Sequence, residues 1–122
     1  MPRATGRAAT NVYGVELLEA QFERHVYERH MHDTYAIGVT LRGVQRFWCC
    51  GATRNSMPGD VIMIPPGTVH DGQSGSAGGY RYLMFYVPLS LVRDMIEDAL
   101  ERPAAPGVYG LRCSRIPRSP GR

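Results

Sequence analysis

With 122 residues and a formal net charge of +3, the chain has the size of one domain with a single modest core. All fourteen cationic residues are Arg, and residues 11–100 hold seven of them against ten Asp or Glu, a net charge of −3. The positive charge therefore lies toward the two ends of the chain, which argues against a basic nucleic-acid-binding face on the central part. No apolar run is long enough to span a membrane. The first ten residues also lack the apolar run of a secretory signal, so a cytoplasmic location is expected.

The predicted elements begin after residues 1–10, a small and polar lead that we expect to be flexible. Residues 12–22 are predicted to form one long strand or a pair of strands. From Tyr35 to Leu41, apolar residues alternate with small or polar ones at the period of a strand. Further strands separated by Gly and Pro turns are predicted over 44–50, 61–64 and 80–87. This succession of short strands predicts an all-β sandwich or jelly-roll barrel over residues 11–88.

One helix is predicted after the last strand, over residues 89–102. Its apolar residues recur at helical spacing, and Pro103 ends the pattern. The members of this stripe are Leu89, Val92, Met95, Ile96, Ala99 and Leu100. The remaining segment, residues 103–122, is rich in Arg, Pro and Gly without periodicity, and we expect it to be disordered.

The most informative motif runs from Gly59 to His70 and reads Gly, five residues, Pro-x-Gly, two residues, His. Upstream, His30 and His32 form a His-x-His pair, and Gly43 follows. Together these segments resemble the two motifs of the cupins, which implies a single cupin-like jelly-roll barrel with one C-terminal helix. The chain departs from the cupin pattern at one point. A metal-binding cupin usually has a Glu four or five residues after the second His, and this chain has Ala36 and Ile37 there.

A narrower resemblance covers about residues 11–100. The segment His30-Met31-His32-Asp33-Thr34-Tyr35-Ala36-Ile37-Gly38-Val39, followed by Pro58-Gly59-Asp60 and later by His70-Asp71-Gly72, is similar to the N-terminal sensing domain of AraC-type transcription regulators. The aromatic strand from Tyr80 to Val87 and the helix after it also resemble that family. The resemblance implies a domain that binds a small-molecule effector and has no enzymatic activity. It also implies that the helix contributes to a homodimer, as an alternative to packing on its own barrel.

The residues expected to line the effector site are those that a barrel interior would present, aromatic side chains and the three motif histidines: His30, His32, Tyr35, Trp48, His70 and Tyr82. Trp48 offers a stacking face for a sugar or an aromatic effector. Phe47 and Trp48 are adjacent, so only one of them can face inward.

The DNA-binding half of an AraC-type regulator, with its two helix-turn-helix units, has no counterpart in the residues after Leu100. We therefore expect a truncated regulator that does not bind nucleic acid through this chain alone. The Arg-, Pro- and Gly-rich composition of residues 103–122 suggests out-of-frame translation of a GC-rich gene, a hypothesis that an intact reading frame would refute.

Two alternatives to the sensor remain open. His30, His32 and His70 have the residue types of a three-His metal site for Zn, Fe or Ni, as in a stand-alone cupin dioxygenase or isomerase. Against this, the carboxylate position is lost, and three histidines are also compatible with a pocket held by hydrogen bonds. We therefore expect no cofactor. The second alternative is a sugar-binding module without a regulatory role.

Overall fold

The computed structural model describes residues 4–10, 13–22, 27–103 and 114–117, and of residues 4–10 and 27 it describes the backbone only. Within these residues the chain forms ten strands and one helix. In chain order they are β1 (Ala4–Thr10), β2 (Glu16–Phe22), β3 (Tyr27–His30), β4 (Tyr35–Gly43), β5 (Gln45–Cys49), β6 (Ala52–Ser56), β7 (Val61–Ile64), β8 (His70–Ser74), β9 (Tyr80–Val87), α1 (Leu89–Leu100) and β10 (Ser114–Ile116). The prediction of an all-β fold with one helix is confirmed.

The strands form two antiparallel sheets. The six-stranded sheet has the order β1-β2-β9-β4-β7-β10, and the four-stranded sheet has the order β3-β8-β5-β6. Neighbouring strands are often distant in sequence, as β4 and β9 are, so the sheets are not simple meanders. The core lies between the two sheets and is built from the inward side chains of both.

Alternation along each strand determines which side chains enter this core. On β9, Tyr80, Tyr82 and Met84 are buried while the residues between them are more exposed. On β5, Gln45, Phe47 and Cys49 are buried, so that Arg46 and Trp48 lie on the other face. Short β-rich segments with this period gain most of their stability by burying one face against the opposite sheet.

Two glycines of the long motif adopt the conformation that their turns require. Gly59 has φ +91° and Gly67 has φ +72°, values in the left-handed region that side chains disfavour. The Gly59 N–H donates to the Thr40 carbonyl at 2.8 Å, which ties the turn before β7 to β4. The Gly67 N–H donates to the His32 carbonyl, also at 2.8 Å. The second turn is therefore joined directly to the segment that carries a predicted site residue.

Helix α1 ends at Leu100, and Glu101 follows with a left-handed backbone, φ +55°. None of its twelve residues is buried. Met95 and Leu100 of the predicted apolar stripe are 61% and 52% exposed. Much of the stripe is thus uncovered within the described part of the chain. No helix of the described residues has the length and apolar character needed to cross a membrane.

The two chain ends differ from expectation. The predicted flexible lead contains β1, which pairs with β2 along its whole length from Ala4 to Thr10. The predicted disordered tail contains β10, whose three residues pair with β7. Both expectations are wrong for these residues because strand pairing with an existing sheet edge needs backbone groups rather than an apolar pattern. The rest of residues 104–122 lies outside the described part, and the out-of-frame origin remains a hypothesis about the gene.

Candidate functional site

Three histidines from both motifs converge between the sheets. His30 is the last residue of β3 and lies directly opposite His70, the first residue of β8, in the antiparallel register. Opposite residues in such a pair have neighbouring side chains. His32 follows two residues later, outside the strand, and its carbonyl is held by the Gly67 N–H at 2.8 Å. The fold therefore brings together the two segments that the sequence could only relate by motif.

The geometry of this cluster is compact. The ring centroids of His30 and His70 are 4.3 Å apart, those of His30 and His32 are 4.9 Å apart, and those of His32 and His70 are 5.3 Å apart. One ring nitrogen from each residue lies within 4.8 Å of the other two. The ring of Tyr86 stands beside the cluster, with its centroid 5.1 Å from that of His32.

Backbone carbonyls determine the tautomer of two of these rings. The Nδ1–H of His30 donates to the Glu28 carbonyl at 2.6 Å, and the Nδ1–H of His70 donates to the Thr68 carbonyl at 2.9 Å. A carbonyl can only accept, so Nδ1 carries the proton and Nε2 carries the lone pair in the neutral ring. Anchoring Nδ1 in this way is the arrangement that orients a histidine for binding through Nε2.

Burial favours the neutral form of two of the imidazoles. Desolvation lowers the pKa of His32 below its usual 6.5, and the charge of His30 lowers it further, while the carboxylates of Asp33 and Glu16 oppose this. Desolvation also lowers the pKa of His70; its hydrogen bond to Thr68 acts in the opposite direction, and the other two histidines add to the lowering. Neutral imidazoles are the form that binds metals and accepts hydrogen bonds.

The histidines border a small cavity of about 80 Å³ between the sheets. Apart from them, its wall is mainly apolar and aromatic, with contributions from Ala36, Phe47, Ile62, Ile64, Tyr82, Met84 and Tyr86. Its polar side chains are those of Gln45 and Asp71, and Gly72 adds backbone. A mostly apolar wall with a few convergent polar groups is typical of a small-molecule site.

Four of the six predicted effector-binding residues line this cavity, and two do not. His30, His32, His70 and Tyr82 are part of its wall. Tyr35 is fully buried but does not line the cavity. Trp48 is likewise not part of the wall.

Trp48 instead meets charged groups of β8, the neighbouring strand, and of β3, the strand beyond it. The Arg29 guanidinium lies 3.9 Å from the centre of its ring, and its backbone N–H donates to Asp71 Oδ1 at 2.7 Å. The expected stacking face of Trp48 therefore lies outside the cavity wall, because the alternation of β5 turns Phe47 inward. The carboxylate of Asp71 bridges β8 to β5 in this arrangement.

Sequence reasoning missed nine of the residues that line the cavity, and for three of them, Gln45, Phe47 and Tyr86, strand alternation carried a usable signal. Phe47 could have been identified from its neighbours, because Arg46 and Trp48 share a strand face and a charged Arg favours the solvent side. Gln45 then shares the inward face with Phe47. Tyr86 shares the face of Tyr82 on β9, four residues further along the same strand.

The three His side chains fit a metal ion as three nitrogen ligands, and two of them, His30 and His70, are held in the tautomer that leaves Nε2 free to bind. A fourth protein ligand is not provided at the position where a metal-binding cupin has its carboxylate. Ala36 lines the cavity there and is 2% exposed. Ile37, the alternative position, does not reach the cavity wall. If these histidines held a metal ion, the resulting three-nitrogen site would have an open coordination position.

Comparison with known proteins identifies a family. A family model described as an AraC-like ligand binding domain matches residues 12–119. The match extends beyond the resemblance that the sequence indicated, which ended near residue 100, and it includes β10. No curated protein matches this sequence significantly.

Solved structures show the same fold at low sequence identity. A cupin-like protein from Thermotoga maritima has a TM-score of 0.64 at 20% identity, covering 72% of this chain and 71% of its own. A cupin superfamily protein from Desulfitobacterium hafniense has a TM-score of 0.63 at 15% identity, covering 70% and 78%. A candidate mannose-6-phosphate isomerase from Ralstonia eutropha has a TM-score of 0.64 at 15% identity, covering 72% and 87%. These similarities establish the cupin-like fold alone.

Proposed function

Because this chain belongs to the family of AraC-like ligand-binding domains, we propose that it is the small-molecule sensing and dimerisation domain of a cytoplasmic AraC-type transcription regulator. The observation that carries the proposal is the cavity between the sheets, which combines an apolar wall with three convergent histidines. The effector would occupy this cavity and contact His30, His32, His70 and Tyr82. The domain would act by binding rather than by catalysis.

The cavity supports an effector no larger than one ring or a short chain in its interior. Its volume is about 80 Å³, and it is bounded by side chains of both sheets. Phe47 and Met84 supply apolar contact area on opposite sheets, so an occupant would bridge the two layers. Occupancy could then be transmitted as a change in the packing of the sheets.

The helix supports the dimerisation part of the proposal. Its apolar stripe is exposed at Met95 and Leu100, and no residue of α1 is buried. A stripe of this kind gains stability by packing against an equivalent stripe in a second copy. We propose a homodimer with α1 at its interface.

We propose that DNA is not contacted through this part of such a regulator. Residues 11–100 carry a net charge of −3, the opposite of the clustered positive charge that phosphate binding needs. A gel-shift titration of the purified chain with random duplex DNA at low salt checks this. Binding that weakens with a steep salt dependence would contradict it.

The sensing proposal is tested by screening the purified chain for ligand-induced shifts in its melting temperature, using monosaccharides and single-ring aromatic compounds. A compound that binds in the cavity should lose its effect in Met84→Trp, which fills the cavity, and keep it in Trp48→Ala. Met84 lines the cavity, whereas Trp48 is not part of its wall. A compound whose melting-temperature shift is lost in Trp48→Ala but kept in Met84→Trp would contradict the proposed site.

A second candidate function is favoured by the ligand geometry of the histidines: a metal-dependent cupin enzyme, such as a dioxygenase or isomerase. One ring nitrogen of each residue lies within 4.8 Å of the others, and two rings are anchored through Nδ1. A bound Zn, Fe or Ni would supply a Lewis acid with an open coordination position. The histidines themselves would hold the ion and orient a substrate against the apolar wall.

Metal analysis separates the two functions. The chain is purified without chelators or an affinity tag that contains histidine, and its metal content is measured by mass spectrometry. Stoichiometric metal that is lost in both His30→Ala and His70→Ala would favour the enzyme. Metal that persists in those variants would point to another site, and a substoichiometric content would leave the sensor as the better supported function.

A further inference from the structure

The charge around the cavity suggests which class of effector it accepts. Of the described residues that line the cavity, none is Arg or Lys. A carboxylate or phosphate buried there would have no cationic partner, and burying an unpaired anion is costly. The interior therefore disfavours anionic ligands.

The approach to the cavity is acidic. His32 borders the cavity and also two shallower recesses, and Tyr86 borders the cavity and one of them. The recesses add the exposed carboxylates Glu16 and Asp33 beside His32. We call these four residues the mouth. Among the described residues lining the cavity and both recesses, the acidic ones are Glu16, Asp33 and Asp71, and cationic side chains do not occur.

The cation that pairs with Asp71 of the cavity wall is already engaged elsewhere. Arg29 places its guanidinium over the Trp48 ring at 3.9 Å, and its Nε lies 4.0 Å from Asp71 Oδ2. Both contacts hold the guanidinium at Trp48, which is not part of the cavity wall. Arg29 is thus not positioned to neutralise an anionic ligand in the cavity.

Gln45 adds an uncharged polar group to the cavity wall. Gln45 lines the cavity and is 8% exposed. Its Oε1 accepts from Thr40 Oγ1 at 3.4 Å, whereas its amide nitrogen has no hydrogen bond to any other described residue.

Resting on the sensor function proposed above, we infer that the effector is a small amine: an apolar ring or short chain that enters the cavity and an ammonium group that stays at the mouth. There the ammonium would meet the carboxylates of Glu16 and Asp33 and the ring face of Tyr86. Opposite charge and an aromatic face both stabilise an ammonium in a partly desolvated site.

The inference is tested with three probes that share one ring and differ in charge: benzylamine, benzyl alcohol and benzoate. Their affinities for the chelator-treated, metal-free protein are measured by isothermal titration calorimetry. We expect benzylamine to bind at least about fivefold more tightly than benzyl alcohol, and benzoate to bind most weakly. The preference for benzylamine should shrink as salt is added.

Variants that remove the mouth carboxylates test whether these groups cause the preference for benzylamine. In Glu16→Gln/Asp33→Asn the affinity for benzylamine should fall at least about fivefold, while that for benzyl alcohol changes less than about twofold. The matched control is Asp98→Asn, which removes an exposed carboxylate from α1 and should leave all three affinities unchanged.

Each other outcome overturns the inference in a distinguishable way. If benzoate or benzyl alcohol binds best, or if the double variant keeps its affinity for benzylamine, the amine assignment fails and the sensor function stands. If none of the three probes binds, the amine assignment fails and the cavity loses its support as an effector site as well.

Discussion

Arg115 and Asp60 form an ion pair that joins β10 to the turn before β7, with 3.0 Å between Arg115 Nη1 and Asp60 Oδ2. The Asp60 side chain is 6% exposed, and the same oxygen accepts from the Met57 N–H at 2.8 Å. A buried carboxylate is thus partnered by an Arg from the segment in which sequence composition had predicted disorder. Because β10 pairs with the outer edge of β7, this ion pair reinforces the edge of the six-stranded sheet.

We predict that Arg115→Met lowers the free energy of unfolding by about 1–2 kcal/mol, because it leaves the buried Asp60 carboxylate with fewer partners while keeping the apolar stem. Urea denaturation at neutral pH measures the change. Arg93→Met is the control, since Arg93 pairs with Asp94 at 3.8 Å on the exposed face of α1 and should cost less than about 0.5 kcal/mol. Equal effects of the two variants would mean that β10 does not contribute to the folded state.

The stability of the domain should decrease as the pH falls below 6.5. The pKa values of His32 and His70 are lowered in the folded state, so at falling pH the unfolded chain takes up protons first. These two histidines therefore stabilise the fold fully above pH 6.5, the usual pKa of the group. Their contribution to the free energy of unfolding is lost as the pH falls from 6.5 through the lowered pKa values of the folded state. Urea denaturation of the metal-free protein between about pH 7.5 and 5.5 measures this dependence.

The control for this pH dependence is the double variant His32→Gln/His70→Gln. It lacks both imidazoles whose protonation the folded state disfavours, so its free energy of unfolding should vary less over the same pH range. A slope as steep as that of the parent chain would assign the effect to other groups.

A carboxylate at Ala36 should restore the four-ligand metal site of the cupins. Ala36 lines the cavity with the histidines, and Ala36→Glu would add an oxygen ligand to the three nitrogens. We expect the affinity for Zn²⁺ to rise about tenfold or more, as measured by competition with a chromophoric chelator. Without metal the variant should be less stable than the parent, because the new carboxylate is buried.

Ile37→Glu provides the matched control, since it puts the same side chain at the next residue of β4, which does not line the cavity. Its affinity for Zn²⁺ should stay at the parent value. A gain at Ile37 rather than at Ala36, or no gain at either, would contradict the geometry of the three-nitrogen site.

The proposed dimer should be sensitive to charge on the apolar stripe of α1. Met95 is 61% exposed, so Met95→Asp should barely change the folding of a single copy while placing a charge in the interface. We expect the dimer dissociation constant to rise about tenfold or more in sedimentation equilibrium. Ser90→Asp adds the same charge to the polar side of α1 and should leave the dimer intact. A parent chain that is monomeric at all concentrations would refute the dimer itself.

The sequence by itself determined the local structure and the class of fold. Segments with a regular apolar pattern and clear turn residues at their ends were predicted with correct bounds. The strands β7 (Val61–Ile64) and β9 (Tyr80–Val87) coincide with the predicted strands, and α1 begins at the predicted Leu89. This was possible because alternation, helical spacing and Gly or Pro turns are properties of neighbouring residues. The spacing of the two motifs likewise indicated which histidines would meet.

Only the tertiary structure decided the features that depend on residues far apart in the chain. The direction of Phe47 and Trp48 is a choice between two faces of β5, and it depends on which face the six-stranded sheet covers. The strand at Ser114–Ile116 has no apolar pattern, and it forms because β7 offers an open edge and Asp60 offers a partner for Arg115. The acidic mouth likewise exists only once folding brings Glu16 to the recess that His32 and Asp33 line, because electrostatic interactions depend on distance in space and not on separation along the sequence.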